Sequence, residues 1–148
     1  NKNSLKKLKK SKEKLDKIGL EAEEFVEKFE RKCMLKHPNN NKIRIVSHED
    51  CSAGYDILSY QSKSSILLDK YIEVKSYSGE PHFFWSKNEV KTAAKEKNNY
   101  FLYLVNRDEI NNDDYLPTII QNPYEMVFNN NEWNKETQNW KFKLKSCN

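Results

Sequence analysis

The run Tyr100-Phe101-Leu102-Tyr103-Leu104-Val105-Asn106 constrains the fold more than any other stretch of the chain. It is apolar at both parities, so as a strand it needs cover on both faces. A second strand-like run, Asp69 to Tyr77, precedes it and is rich in β-branched and aromatic residues. Between the two, Ser86 with Glu89 three residues on forms a capping box, and Val90, Ala93 and Ala94 mark the buried face of a helix to about Lys97. Shorter strands are expected at Ile43 to Val46, at Tyr55 to Tyr60 and, more weakly, at Thr118 to Gln121.

Upstream, Leu5, Leu8, Leu15, Ile18, Ala22, Phe25, Val26, Phe29 and Cys33 recur at helical spacing. Gly19 is the expected break between a basic lead-in, residues 1–17, and a main helix of about residues 20–35, which His37-Pro38-Asn39 ends. Residues 18–148 are then the folded domain. At the other end Trp140, Phe142 and Leu144 alternate with Lys141, Lys143 and Lys145, the pattern of an edge strand with one buried face. Tyr124, Phe128, Trp133 and Trp140 are read as core aromatics.

The 148 residues are one domain's worth of chain, and eight Tyr, seven Phe and three Trp supply core material. The first residue is Asn, which points to a piece of a larger protein with further domains. Charge is unevenly distributed. Residues 1–17 hold eight Lys against Glu13 and Asp16, a local +6, whereas the other 131 residues hold 18 basic and 20 acidic groups. Polyanion attraction therefore sits in the lead-in, and a mildly acidic body acting on a polyanion needs a cation to offset repulsion. Three widely spaced cysteines without a CxxC pair argue against a disulfide framework and for an intracellular, cytoplasmic setting. No run has membrane-spanning length.

The chemistry is concentrated in Gly54-Tyr55-Asp56-Ile57 and Tyr71-Ile72-Glu73-Val74-Lys75. Sixteen residues separate Asp56 from Glu73, which suits neighbouring strands joined by a hairpin. Alternation puts Tyr71, Glu73 and Lys75 on one face, with Glu73 and Lys75 roughly 7 Å apart, while Ile72 and Val74 fill the core behind them. Two carboxylates meet the needs of Mg²⁺, with Mn²⁺ as a substitute, and a lysine beside them can orient water and steady charge on a phosphate.

Asp56 followed by Glu73-Val74-Lys75 resembles the signature of the PD-(D/E)XK nuclease superfamily. Within it, the chain resembles the domain at the C-terminus of NO VEIN-type proteins and, more loosely, Mrr-like restriction nucleases. The likeness runs over about residues 18–106: Gly19 to Val26 with Glu30-Arg31, the two motifs above, Ser86-Lys87-Asn88-Glu89 and Tyr100-Phe101-Leu102-Tyr103. It implies an α/β, restriction-endonuclease-like fold, a central mixed sheet flanked by helices, with a basic N-terminal helix. It also implies divalent-metal-dependent cleavage of DNA, as the nuclease module of a restriction or anti-phage defence protein. Asp56, Glu73 and Lys75 carry over as catalytic residues, and Asp56, Glu73 and Glu23 as metal ligands. Lys87, Lys91 and Lys95 are candidate phosphate contacts. Glu89 matches a family position, though capping alone accounts for it.

In one place the chain departs from the pattern: the first acid often follows proline in the superfamily, and here it follows Tyr55. An RNA-cleaving enzyme and an inactive nucleic-acid-binding or scaffolding module of the same fold are the alternatives. A homodimer is compatible with cutting two strands.

Overall fold

The computed structural model describes residues 1–139 and 141–145, and among these the chain forms a five-stranded mixed sheet with helices on its faces. The α/β architecture expected from the sequence is the one observed. The elements are α1 (Lys2–Cys33), β1 (Arg44–Ile45), β2 (Ile57–Ser59), β3 (Lys70–Tyr77), α2 (Lys87–Glu96), β4 (Tyr100–Asn106) and β5 (Thr118–Gln121). They lie in the order β1-β2-β3-β4-β5. β3 and β4 are parallel, joined through α2, and every other neighbouring pair is antiparallel.

Register decides which side chains reach the site. Glu73 lies opposite Leu102 and Lys75 opposite Leu104, while Ile72 and Val74 lie opposite Phe101 and Tyr103. On the second of these faces Ile57, Ile72, Val74, Phe101, Tyr103 and Val105 pack with Ala22 and Val26 of α1. On the first, Leu102, Leu104 and Tyr77 pack with Val127, Phe83 and Trp133. β4 is buried along nearly its whole length because both layers press on it.

Two expectations need correction. α1 runs unbroken through Gly19, all 32 residues of it. A glycine inside a helix costs roughly 1 kcal/mol against alanine, which the surrounding Lys, Leu, Glu and Ala residues offset. Residues 1–17 are exposed throughout, and burial begins at Ile18.

The tail strand is the second correction. Residues 141–145 have no strand structure, with Phe142 and Leu144 exposed at 93% and 95%. Alternation makes a strand only where a sheet edge accepts it, and interleaved lysines make a poor ladder neighbour. Trp140 lies outside the described residues. The other tail aromatics do pack inward: Phe83 meets Trp133 at 5.8 Å between centroids, and Trp85 meets Phe128 at 6.4 Å.

A candidate metal and phosphate site

The site forms where β2 leaves β3. The Asp56 backbone N–H still donates to Ile72 O at 2.8 Å, but the next β3 donor on that side, the Val74 N–H, lies beyond the end of the β2 pairing. The Asp56 carboxylate replaces the missing backbone, with Oδ2 accepting from Val74 N at 2.8 Å. Asp56 is thereby fixed beside Glu73 with its other carboxylate oxygen outside that bond. Gly54 makes the approach possible. It has a φ of +79°, and a Cβ there would overlap Thr92 Oγ1 of α2. Its carbonyl accepts from the Tyr100 hydroxyl at 2.7 Å.

Glu73 is 2% exposed. Lys75 Nζ stands 3.2 Å from Glu73 Oε1 and 3.0 Å from Glu89 Oε1. The Tyr100 hydroxyl lies 3.4 Å from Glu73 Oε2. The Trp85 indole N–H is buried without a hydrogen-bond partner among the described residues. The capping box expected at Ser86 and Glu89 is present, and the oxygen that closes it, Glu89 Oε1, is the one that takes Lys75.

Glu23 reaches the same place from α1. Ser47 Oγ lies 3.3 Å from both of its carboxylate oxygens, and His48 Nε2 lies 3.2 Å from Oε2. Burial and the nearby Asp56 charge push the Glu23 carboxyl up to about 7. Burial also raises Asp56, against the Val74 N–H and Lys75, which lower it. Glu73 is pushed well above the carboxylate range by burial and by Asp56. Burial acting alone would lower the Lys75 ammonium, but Glu73 and Glu89 outweigh it and hold Lys75 above its ordinary value.

Glu73 and Glu89 thus flank the Lys75 ammonium, Asp56 stands near it, and Glu23 stands near Asp56. Among the described residues no three His, Cys, Asp or Glu side chains converge closely enough to enclose an ion by themselves. Mg²⁺ does not require that, since one or two carboxylates and a shell of water or phosphate oxygen suffice. Asp56 and Glu73 are hard oxygen donors side by side, so this pair fits a divalent cation, while Glu23 stands near Asp56 without converging on the pair closely enough to make a third ligand.

Asp56, Glu73 and Lys75 are therefore brought together, and Glu23 approaches Asp56 from α1 beside Ser47 and His48. Lys87, Lys91 and Lys95 are exposed on α2. Lys91 and Lys95 line a cleft with Tyr55, and Lys87 does not. Tyr100 is the member of the site that pattern reasoning missed, and Glu89, which matches a family position, was accounted for by capping alone. Glu89 carried a signal, its place in the capping box, but nothing local indicates that it faces Lys75.

The sequence matches the family described as Protein NO VEIN, C-terminal, over residues 21–120. The chain belongs to the NO VEIN C-terminal family. No curated protein and no solved structure matches it. The matched span contains every member of the cluster just described, from Glu23 to Tyr100, and leaves outside it both the lysine-rich half of α1 and the tail. No helix among the described residues is long and apolar enough to cross a membrane.

Proposed function

We propose that this NO VEIN-type domain is a divalent-metal-dependent endonuclease that hydrolyses DNA phosphodiester bonds, as the nuclease module of a restriction or anti-phage defence system. The observation that carries the reading is the convergence of Asp56, Glu73 and Lys75 where β2 leaves β3, on rigid strands with hydrophobic packing behind them. The likeness of these residues to the PD-(D/E)XK signature supports it, and the likeness to Mrr-like restriction nucleases supports DNA as the substrate.

Mg²⁺ held by Asp56 and Glu73 would polarise the phosphoryl oxygen and lower the pKa of a bound water. Burial and the Asp56 charge favour the neutral form of Glu73, and a bound cation would oppose both. Asp56 is kept in place by the Val74 N–H, which leaves its other oxygen for the cation. Lys75 Nζ, held between Glu73 and Glu89, donates to the phosphate or orients the attacking water, and its charge opposes the negative charge growing on the phosphoryl group. Glu23 stands near Asp56 and would join the shell only by a shift toward it.

One observation favours a second reading, an inactive binding module: Lys75 is engaged by two carboxylates at once and already supplies part of the charge a metal would bring. Plasmid cleavage with Mg²⁺, Mn²⁺ or EDTA, beside Asp56→Ala and Lys75→Ala, separates the two. Metal-dependent cutting lost in both variants is the expected result. If nothing is cut, calorimetry with Mn²⁺ decides: binding that needs Asp56 leaves a competent site awaiting another substrate, RNA among them, and no binding leaves the module.

A further inference from the structure

Beside the fork, on the α2 side, a cleft of about 380 Å³ opens between the turn at Ser52 to Tyr55 and the helix. Asn88, Lys91, Thr92, Lys95 and Glu96 line it from α2, a stripe at helical spacing, and Tyr55 lines it from the turn. We propose that this cleft is a subsite for one unpaired nucleotide next to the scissile bond, with its base stacked on Tyr55 and its phosphate on Lys91 and Lys95. The placement next to the scissile bond rests on the nuclease reading above. The binding itself does not.

Three features make the cleft a built site rather than a dent between side chains. Its walls are tied together: Asn88 Nδ2 donates to Ser52 O at 3.2 Å, and the Gly54 backbone is held by Tyr100 and pressed against Thr92. Its ring is braced, because Tyr71 stands against Tyr55 at 5.0 Å between centroids, inclined by 40°. Its charges are divided. Two lysines one turn apart can meet a phosphate, while Glu96 can accept from the N–H groups of a base edge or from a sugar hydroxyl.

Aromatic stacking of this kind tolerates any base, because each presents a π-face. It also requires an unstacked base, so a duplex satisfies the lysines without reaching Tyr55. The departure from proline at the position before Asp56 gains a physical account. The residue there supplies a ring one step from a proposed metal ligand.

The test is binding of a short DNA oligonucleotide carrying 2-aminopurine, single-stranded or annealed, with Ca²⁺ in place of Mg²⁺ so that binding is read without cutting. The single strand should bind roughly tenfold more tightly than the duplex, with its fluorescence quenched. Tyr55→Ala should abolish the quench and weaken single-strand binding by about tenfold, while leaving duplex binding unchanged. Tyr55→Phe should keep both, which controls for folding. The Lys91→Ala/Lys95→Ala pair should weaken binding of both forms and flatten its salt dependence. Tyr55→Ala binding and quenching as the parent does would overturn the subsite, as would a preference for duplex. Tyr55-dependent binding by a protein that cuts nothing would leave the subsite standing and remove the nuclease reading alone.

Discussion

β3 carries a lysine on each face, and the two are surrounded in opposite ways. On the α1 face Lys70 Nζ lies 2.8 Å from Glu30 Oε1 and donates to the Tyr103 hydroxyl at 2.6 Å, and that hydroxyl donates to Glu30 Oε2 at 2.9 Å. The Lys70 ammonium also sits 4.7 Å from the centre of the Phe101 ring. One acid, one base and one hydroxyl close on themselves with charge balanced. On the α2 face Lys75, Glu73 and Tyr100 use the same three kinds of side chain, but Glu89 and Asp56 are added without a matching cation, and Glu23 approaches Asp56 from α1 with His48 beside it. A buried charge survives in a fold when it is paired, and an excess of one sign costs stability. The first cluster spends its polar groups on holding α1 to the sheet. The second keeps a surplus of negative charge, for which the proposed divalent cation gives a use.

The largest effect should come from unbalancing the closed cluster. Glu30→Ala leaves the Lys70 ammonium buried without its acid and should cost about 3–5 kcal/mol of stability in urea unfolding. Glu73→Gln removes one of several crowded carboxylates and should change stability by no more than about 1 kcal/mol, in either direction, while lowering cleavage by roughly a hundredfold or more. Equal losses of stability in the two variants would erase the distinction between the clusters.

The next effect is pH dependence. Because the Glu23 carboxyl is raised from 4.5 to about 7, the folded state holds its proton more tightly than the unfolded chain does. That contribution is fully present below the unfolded value of 4.5 and is lost as pH rises through about 7. Metal-free protein should therefore lose stability over this window, and Glu23→Gln should flatten the decline. Mg²⁺ at a hundred times its dissociation constant should restore about 2.7 kcal/mol above the window. Unfolding in EDTA and in Mg²⁺ across the window checks both, and an unchanged slope in Glu23→Gln would assign the decline to another group.

Much of this was legible in the sequence, for reasons that differ between elements. β4 declared itself through apolar residues at both parities, and the shared face of Glu73 and Lys75 followed from alternation, since Ile72 and Val74 had to point into the core. Asp56 was placed by hairpin spacing, although its role as a stand-in for the missing strand backbone depends on where β2 departs. The closed cluster joins Glu30, Lys70 and Tyr103 across 73 residues, a span no local pattern describes. A trace of it was present, because Ala22, Val26 and Glu30 follow at steps of four and are the buried residues of α1. An acid on an apolar helical face calls for a buried partner. Gly19 and the tail misled in opposite directions: a single glycine does not stop a helix rich in good formers, and a strand pattern does not create the edge it needs.

The smallest effect separates two roles of one carboxylate. Glu89 Oε1 accepts from the Ser86 N–H at 2.9 Å and from Lys75 Nζ at 3.0 Å, so it both caps α2 and holds the lysine. Burial alone would raise its carboxyl, but Lys75, Glu73 and the Ser86 N–H outweigh burial and lower it. Of the two acids beside Lys75, Glu89 is thus held toward its charged form and Glu73 toward its neutral one. Glu89→Gln preserves the reach and the cap but removes that charge, and Lys75 is left to lean on Glu73 alone. Cleavage should fall roughly tenfold in kcat with KM little changed. Ser86→Ala instead removes the cap, costing about 1 kcal/mol of stability, and should leave cleavage within about twofold of the parent. If the two variants lose cleavage equally, Glu89 acts through the helix end and not through the lysine. If only Glu89→Gln loses it, the helix terminus and the phosphate site share one oxygen, and α2 is anchored at the point where Lys75 is aimed.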